Sequence, residues 1–199
     1  MHDCQEPAFW VEHYATGRTP WDQGRGAPAF AQLLAGTAAP PPGRAIALGC
    51  GRGHDALLFA AHGFRVTGVD FAPQAIAAAQ AQAQAQNLAA EFQQQDIFNL
   101  PAAWQGQFDY VIEHTCFCAI APPQRDRYVQ VAQSLLRPGG ELLGIFFTHN
   151  RPGGPPFGVC PEALRAYFTP AFQIEQLEPL PVTVAVRPEE EHFGRFSRP

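Results

Sequence analysis

The chain has 199 residues, of which 46% are hydrophobic and only 16% charged, and its formal net charge is −5. That length fits one domain spanning 1–199 with apolar side chains enough for a sizeable core, and the absence of any basic patch argues against nucleic acid as a partner. No apolar run approaches the length of a membrane span, and residues 1–10 lack the apolar core of a signal peptide, so a cytoplasmic protein with no membrane partner is expected.

The five cysteines, at 4, 50, 116, 118 and 160, are odd in number and form no C-x-x-C pair, which argues against a disulfide framework. Cys116 and Cys118 stand two apart at an expected strand end and would face the same way, but nothing nearby supplies two further ligands. They read as small buried apolar residues, and no metal is expected.

In chain order, residues 1–30 are aromatic and punctuated: Phe9, Trp10 and Tyr14, then Thr19-Pro20-Trp21-Asp22. Trp10 and Tyr14 are four apart, so on a short helix they share a face, and Pro20 ends that element. The segment is either a strap pinning the N-terminus to the core or an aromatic flap over a ligand site. Ala38 to Arg44, with three consecutive prolines, is a stiff linker that cannot join a sheet ladder.

The first core strand follows, running into Gly49-Cys50-Gly51-Arg52-Gly53-His54-Asp55 and then an apolar helix over Ala56 to Ala61. Strand, tight glycine turn and helix N-terminus together suit an anionic ligand group approaching the backbone closely. A second strand, Phe64 to Asp70, ends in an acid 21 residues after Gly49, where a nucleotide-type ligand presents its ribose hydroxyls. A dinucleotide turn would read G-x-G-x-x-G/A, but His54 occupies the position of the third small residue. The G-x-G-x-G turn followed by an acid looks instead like the S-adenosylmethionine site of Rossmann-like methyltransferases. There the loop, here Gly49 and Gly51, faces the methionine part and the acid, here Asp70, holds the ribose. Under that reading Trp10, Tyr14 and Trp21 offer aromatic faces to a sulfonium and exclude water from the transfer.

Residues 73–87 alternate Ala and Gln; both are strong helix formers and Pro73 suits a first turn, so a helix too polar for deep burial is expected. Residues 91–96 read as a third strand ending at Asp96, which is either an acceptor for an adenine amino group or a cap for Ile97-Phe98-Asn99. The fourth strand begins at Phe108 and brings Glu113 and His114 to the end where ligands sit. These two form an acid–base pair for a substrate proton, or His114 leans on the cofactor. An amphipathic helix over 123–136 stops at Arg137-Pro138-Gly139-Gly140, and strand five spans Glu141 to Thr148. The turn-rich loop 149–157 should line the site's rim. A short helix over Ala163 to Phe168 follows. Phe172 to Leu177, with Val182 to Val186 or Phe193 to Phe196, read as closing antiparallel strands. The alternation predicts an α/β fold: a mostly parallel seven-stranded sheet with helices on both faces.

On the segments Thr19-Pro20-Trp21-Asp22, Gly49 to Asp55, Phe117-Cys118-Ala119-Ile120, Leu136 to Leu142 and Gly153-Gly154-Pro155-Pro156-Phe157, the chain resembles the thiopurine and halide/thiol methyltransferases, the plant halide/thiol branch most, from Trp10 to Phe196. The resemblance implies a Rossmann-like class I methyltransferase with cofactor contacts at Trp10, Tyr14, Trp21, Gly49, Asp70, Asp96, Ile97 and His114. That plant branch usually carries Trp where Tyr14 stands and Tyr where His114 stands, and Phe157 replaces a frequent Tyr.

The implied reaction is direct displacement on the sulfonium methyl by a small soft nucleophile: a thiol, bisulfide, halide or thiopurine-like acceptor. It gains mainly from alignment and dryness. Arg18 or Arg151 would favour the anion, and His114 is the candidate base. The alternatives are an oxygen, nitrogen or metalloid acceptor, for which Glu113 and His114 would matter more, or a non-catalytic S-adenosylmethionine-binding protein. The partner expected is a small molecule; oligomeric state leaves no signal in the sequence, and a monomer is the expectation.

Overall fold

The structure, a computed structural model, describes residues 6–199, so Cys4 lies outside the described residues. Among them, seven strands form one sheet: β1 Arg44–Leu48, β2 Arg65–Asp70, β3 Ala90–Gln94, β4 Phe108–His114, β5 Leu136–Phe147, β6 Gln173–Pro179 and β7 Glu191–Ser197. Their spatial order is β3-β2-β1-β4-β5-β7-β6. The first five pair in parallel, and β7 runs antiparallel to both β5 and β6. The order reverses between β1 and β4, which opens a crevice at the carboxyl ends of these strands. Among the described residues six α-helices accompany the sheet: α1 Pro7–Ala15, α2 Pro28–Ala35, α3 His54–Ala61, α4 Pro73–Gln86, α5 Arg125–Leu135 and α6 Pro161–Phe168.

Strand period two divides the core. Ala45 and Ala47 of β1 face a cluster built on Phe30 of α2, Phe59 of α3 and Phe64, whereas Ile46 and Leu48 face Tyr128 of α5, Phe168 of α6, Phe146 and Phe196. Each fully buried large apolar side chain of this kind contributes about 1.5–3 kcal/mol. The central strand is therefore apolar on both sides, as a parallel strand covered by helices must be.

Several expectations are corrected. Helix α4 is not merely a polar surface helix: Ala75, Ile76, Ala79 and Ala83 form a buried stripe, because small side chains let the helix lie close to the sheet while its glutamines face outward. Strand β3 stops at Gln94, before Asp96, whose carboxylate turns the chain by accepting from the Phe98 N–H at 2.8 Å. Of the two segments read as alternatives for the last strand, Phe193 to Phe196 is the one that forms it, within β7, whereas 182–186 lies between Pro181 and Pro188 and is not a strand. Helix α2, which begins at the end of the stretch read as strap or flap and runs on to Ala35, went unread, and its Phe30 is fully buried, so that stretch joins the core from Ala27 onward. Strand β5 starts at Leu136, and a register shift between Phe108 and Tyr110 absorbs the Pro-Gly-Gly excursion. Among the described residues no helix is long and apolar enough to cross a membrane.

Candidate functional site

A cavity of about 690 Å³ opens at the carboxyl ends of β1, β2 and β4, under a roof made by α1 and the segment that follows it. Trp10, Tyr14, Trp21, Gly49, Gly51, Asp70, Asp96, Ile97 and His114 all line it. Residues from five separate stretches of sequence thus share one wall.

The turn after β1 explains its glycines. Gly49, Gly51 and Gly53 have φ of +60°, +53° and +79°, the left-handed region that other residues enter at a cost. Space is as short as torsion: a Cβ on Gly49 would lie 2.8 Å from the Cys116 sulfur, and one on Gly53 2.8 Å from Ala79 and from the Phe92 ring. Gly53 is also the N-cap of α3, so His54 and Asp55 begin that helix two residues earlier than its apolar stretch suggests. The Gly51 N–H donates to Asp70 Oδ2 at 2.8 Å, and the Ala72 N–H donates to Oδ1 at 2.9 Å. Burial pushes the Asp70 carboxyl upward, against these backbone donors. The acid is thereby fixed, with lone pairs left over, since a carboxylate offers about four acceptor sites. Asp96 spends one oxygen on the Phe98 N–H, and Ile97 beside it is buried.

The roof is aromatic and tied down by charge. Trp21 meets Trp10 edge-on at 5.5 Å between ring centroids and Tyr14 at 6.0 Å. The buried Tyr14 hydroxyl accepts from the Trp21 indole, and burial together with the nearby Asp70 raises its pKa well above the ordinary phenol value. The Arg52 guanidinium lies over the Tyr14 ring and pairs with Asp22. Asp22 also meets His54 Nε2 at 3.0 Å. Burial of Asp22 works against its ionisation, but the Gly24 N–H, Arg52 and His54 outweigh it and hold its pKa below the usual carboxylate range. Asp22 thus joins the roof to the glycine turn, a role that nothing in the local sequence announces.

The expected Glu113–His114 pair does not form. Neighbours on a strand point to opposite faces. Glu113 is fully buried behind the sheet, accepting from the Phe117 N–H at 3.0 Å and from the Tyr128 hydroxyl. Burial pushes its pKa up to about 7. His114 faces the cavity, and its partner is Asp55, with Nδ1 to Oδ2 at 2.7 Å. Burial opposes charge on this imidazole, yet Asp55 outweighs it and raises the pKa above the usual histidine value.

Of the two arginines expected to favour an anion, Arg18 lines the cavity but pairs with Glu12 at 3.2 Å, and Arg151 pairs with Glu190 away from it. Arg187, in the segment before β7, was missed; it lines the cavity, lies over Phe147 and pairs with Glu191 at 3.0 Å. Pro155 and Pro156 of the loop after β5 reach the wall, and Phe157 does not. Cys50, Cys116 and Cys118 also line the cavity as free thiols, and burial raises the pKa of each, Cys118 to about 12. Cys116 and Cys118 sit in the turn after β4 rather than on the strand, and their sulfurs have different neighbours: one packs under Gly49, the other bonds to the Thr115 carbonyl. Among the described residues no group of three or more His, Cys, Asp or Glu is placed to hold a metal.

Comparison with known proteins agrees with this geometry. The model of the family described as thiopurine S-methyltransferase matches residues 5–196. Thiocyanate methyltransferase 1 of Brassica oleracea is 31% identical over 205 residues, covering 100% of this chain and 88% of its own length. The protein named probable thiol methyltransferase 2 of Arabidopsis thaliana is 31% identical over 193 residues, covering 95% of this chain and 84% of its own. A solved structure described for the conversion of a disulfide bond into a thioacetal group during echinomycin biosynthesis matches with a TM-score of 0.80 at 25% identity, over 96% of this chain and 92% of that one.

Proposed function

The chain belongs to the thiopurine S-methyltransferase family, and from that premise we propose an S-adenosylmethionine-dependent methyltransferase that acts on small soft nucleophiles. The acceptor class is thiols, bisulfide and soft inorganic anions such as iodide and thiocyanate. The observation that carries this reading is the convergence of the left-handed glycine turn, a fixed buried acid and an aromatic roof on one cavity at the strand ends.

The residues present fit the cofactor. Gly49 and Gly51 bring side-chain-free backbone to the cavity wall, Asp70 is held with acceptor sites to spare for ribose hydroxyls, and among the described residues Asp96 keeps one carboxylate oxygen free of protein donors for an adenine amino group. When bound, S-adenosylmethionine supplies an electrophilic methyl carbon on a sulfonium. Trp10 and Trp21 offer the sulfonium charge their ring faces, while Arg52 already occupies one face of Tyr14. Ile97 packs against the apolar parts. The aromatic roof limits water at the site, so alignment of the acceptor does most of the work. Arg187 and the His114 imidazole favour an anionic acceptor, and His114 is the base for one that arrives protonated.

The free cysteines suit a reducing compartment, and we place the protein in the cytoplasm as a monomer of one domain. The testing experiment is a parallel assay of the purified protein with S-adenosylmethionine and iodide, thiocyanate, bisulfide or a small aromatic thiol, reading volatile or methylated product. Product from at least one is expected. No product from any, with S-adenosylhomocysteine still bound, overturns the soft-acceptor reading.

A further inference from the structure

Asp55 is committed at both oxygens. Oδ1 accepts the Ala27 N–H at 2.7 Å, and Oδ2 meets His114 Nδ1 at 2.7 Å. The Phe30 ring stands edge-on to the imidazole, 6.2 Å between centroids. His114 is therefore clamped through one nitrogen and one flank, and among the described residues its Nε2 has no hydrogen-bond partner. Resting on the function proposed above, we propose that Asp55 is a positioning residue that holds His114 as the Nδ1–H tautomer with Nε2 presented to the cavity, so that the pair equips the site for thiols that arrive protonated.

The thiol S–H proton passes to His114 Nε2, and the sulfur electron pair forms the new S–C bond. The bond from the methyl carbon to the donor sulfur breaks with its electrons remaining on that sulfur, which becomes a neutral thioether. The imidazolium returns its proton to water. An aprotic anion such as thiocyanate needs no proton acceptor, and the imidazolium favours it as a counter-charge.

The two acceptor kinds thus require opposite protonation states of one side chain. The charged groups that face His114 are Asp55 from α3 and Glu191 from β7, with Arg187 on the cavity wall beside Glu191, while Glu113 acts on it from the opposite face of its own strand. The three acids favour the imidazolium and burial opposes it. As pH rises through the His114 titration, kcat/KM for a thiol rises, whereas kcat/KM for thiocyanate falls.

The test is Asp55→Asn. Its carbonyl can keep the Ala27 bond while its NH₂ faces Nδ1, which forces the neutral ring to the Nε2–H tautomer. Nitrogen-15 shifts of His114 in the free protein should show the Nδ1–H form in the parent and the Nε2–H form, titrating at lower pH, in the variant. The thiol-to-thiocyanate ratio of kcat/KM should fall roughly tenfold or more, since a positioned base contributes at least that much. Asp55→Glu should recover part of it. If Asp55→Asn fails to fold, His114→Gln asks the same question: the rising thiol limb should move to the thiol's own pKa, near 8.5 for an ordinary thiol. An Nε2–H ring in the parent, or a thiol limb and acceptor ratio that neither variant moves, overturns the proposal. Absence of methyl transfer to every acceptor would instead sink the function proposed above, and the nitrogen shifts would still decide the pairing.

Discussion

The indole N–H of Trp21 donates to the Tyr14 hydroxyl at 3.3 Å, and that same oxygen lies 2.8 Å from where a Cβ on Gly51 would stand. One phenol oxygen therefore sets the height of the roof above the glycine turn. The roof and the turn lie 37 positions apart in sequence, Tyr14 to Gly51, and meet at this oxygen.

Gly51→Ala should lift that roof. The residue sits at φ +53°, where a side chain costs about 1–2 kcal/mol, and the new methyl collides with the Tyr14 oxygen. The expected outcome is a melting temperature lower by about 2–8 °C and a loss of S-adenosylhomocysteine affinity of roughly tenfold or more by calorimetry. Adding Tyr14→Phe, which deletes the colliding atom, should restore part of the affinity. Undiminished binding in Gly51→Ala would show that roof and turn are not coupled.

Trp21→Ala separates charge from contact. Trp21 packs against Trp10 and His13 of α1 and at the margin of a small cluster of Tyr14, Ala72 and Ala75, outside the two main cores, so the fold should survive. If its ring face serves a sulfonium, affinity for the cationic S-adenosylmethionine should fall more than affinity for the neutral S-adenosylhomocysteine, by a further factor of about three to thirty. Equal losses for the two would leave Trp21 as a packing residue.

Glu113 makes stability depend on pH in an unusual direction for an acid. Its folded pKa, about 7, lies above the ordinary 4.5. Between those values the folded chain keeps a proton that the unfolded chain has shed, so the Glu113 contribution to stability is fully present below pH 4.5, falls as pH rises to about 7 and levels off beyond it. Raised in the same sense, His114 adds to the fall. Glu113→Gln should remove the Glu113 share, on the order of 3 kcal/mol, from the difference between urea unfolding at pH 5 and at pH 8. An identical pH dependence in parent and variant would refute the assignment.

The sequence was most legible where the chemistry is local. The glycine turn and Asp70 declare themselves because a strand, a left-handed turn and a helix start are contiguous, and the structure joins the two through the Gly51 N–H. Asp55 was legible only as a motif letter, since its role depends on His114, 59 positions away. A usable signal did exist. On β4, Tyr110 and Ile112 face one core and Val111 the other, so strand parity already puts His114 with the first set and Glu113 with the second. Helix α2 carried its own mark in Pro28 at the first helical position. Arg187 carried none: it reaches the cavity only because β7 inserts between β5 and β6, a pairing fixed by the burial of Phe193 and Phe196 rather than by anything near residue 187.

The three cysteines in the cavity wall acquire a meaning from the reaction they surround. Sulfur attacks a methyl group as thiolate, not as thiol. Burial keeps Cys50, Cys116 and Cys118 protonated well above neutral pH, so the enzyme's own sulfur atoms stay mute beside an alkylating agent. Self-methylation is suppressed by the same dryness that quickens transfer to the guest.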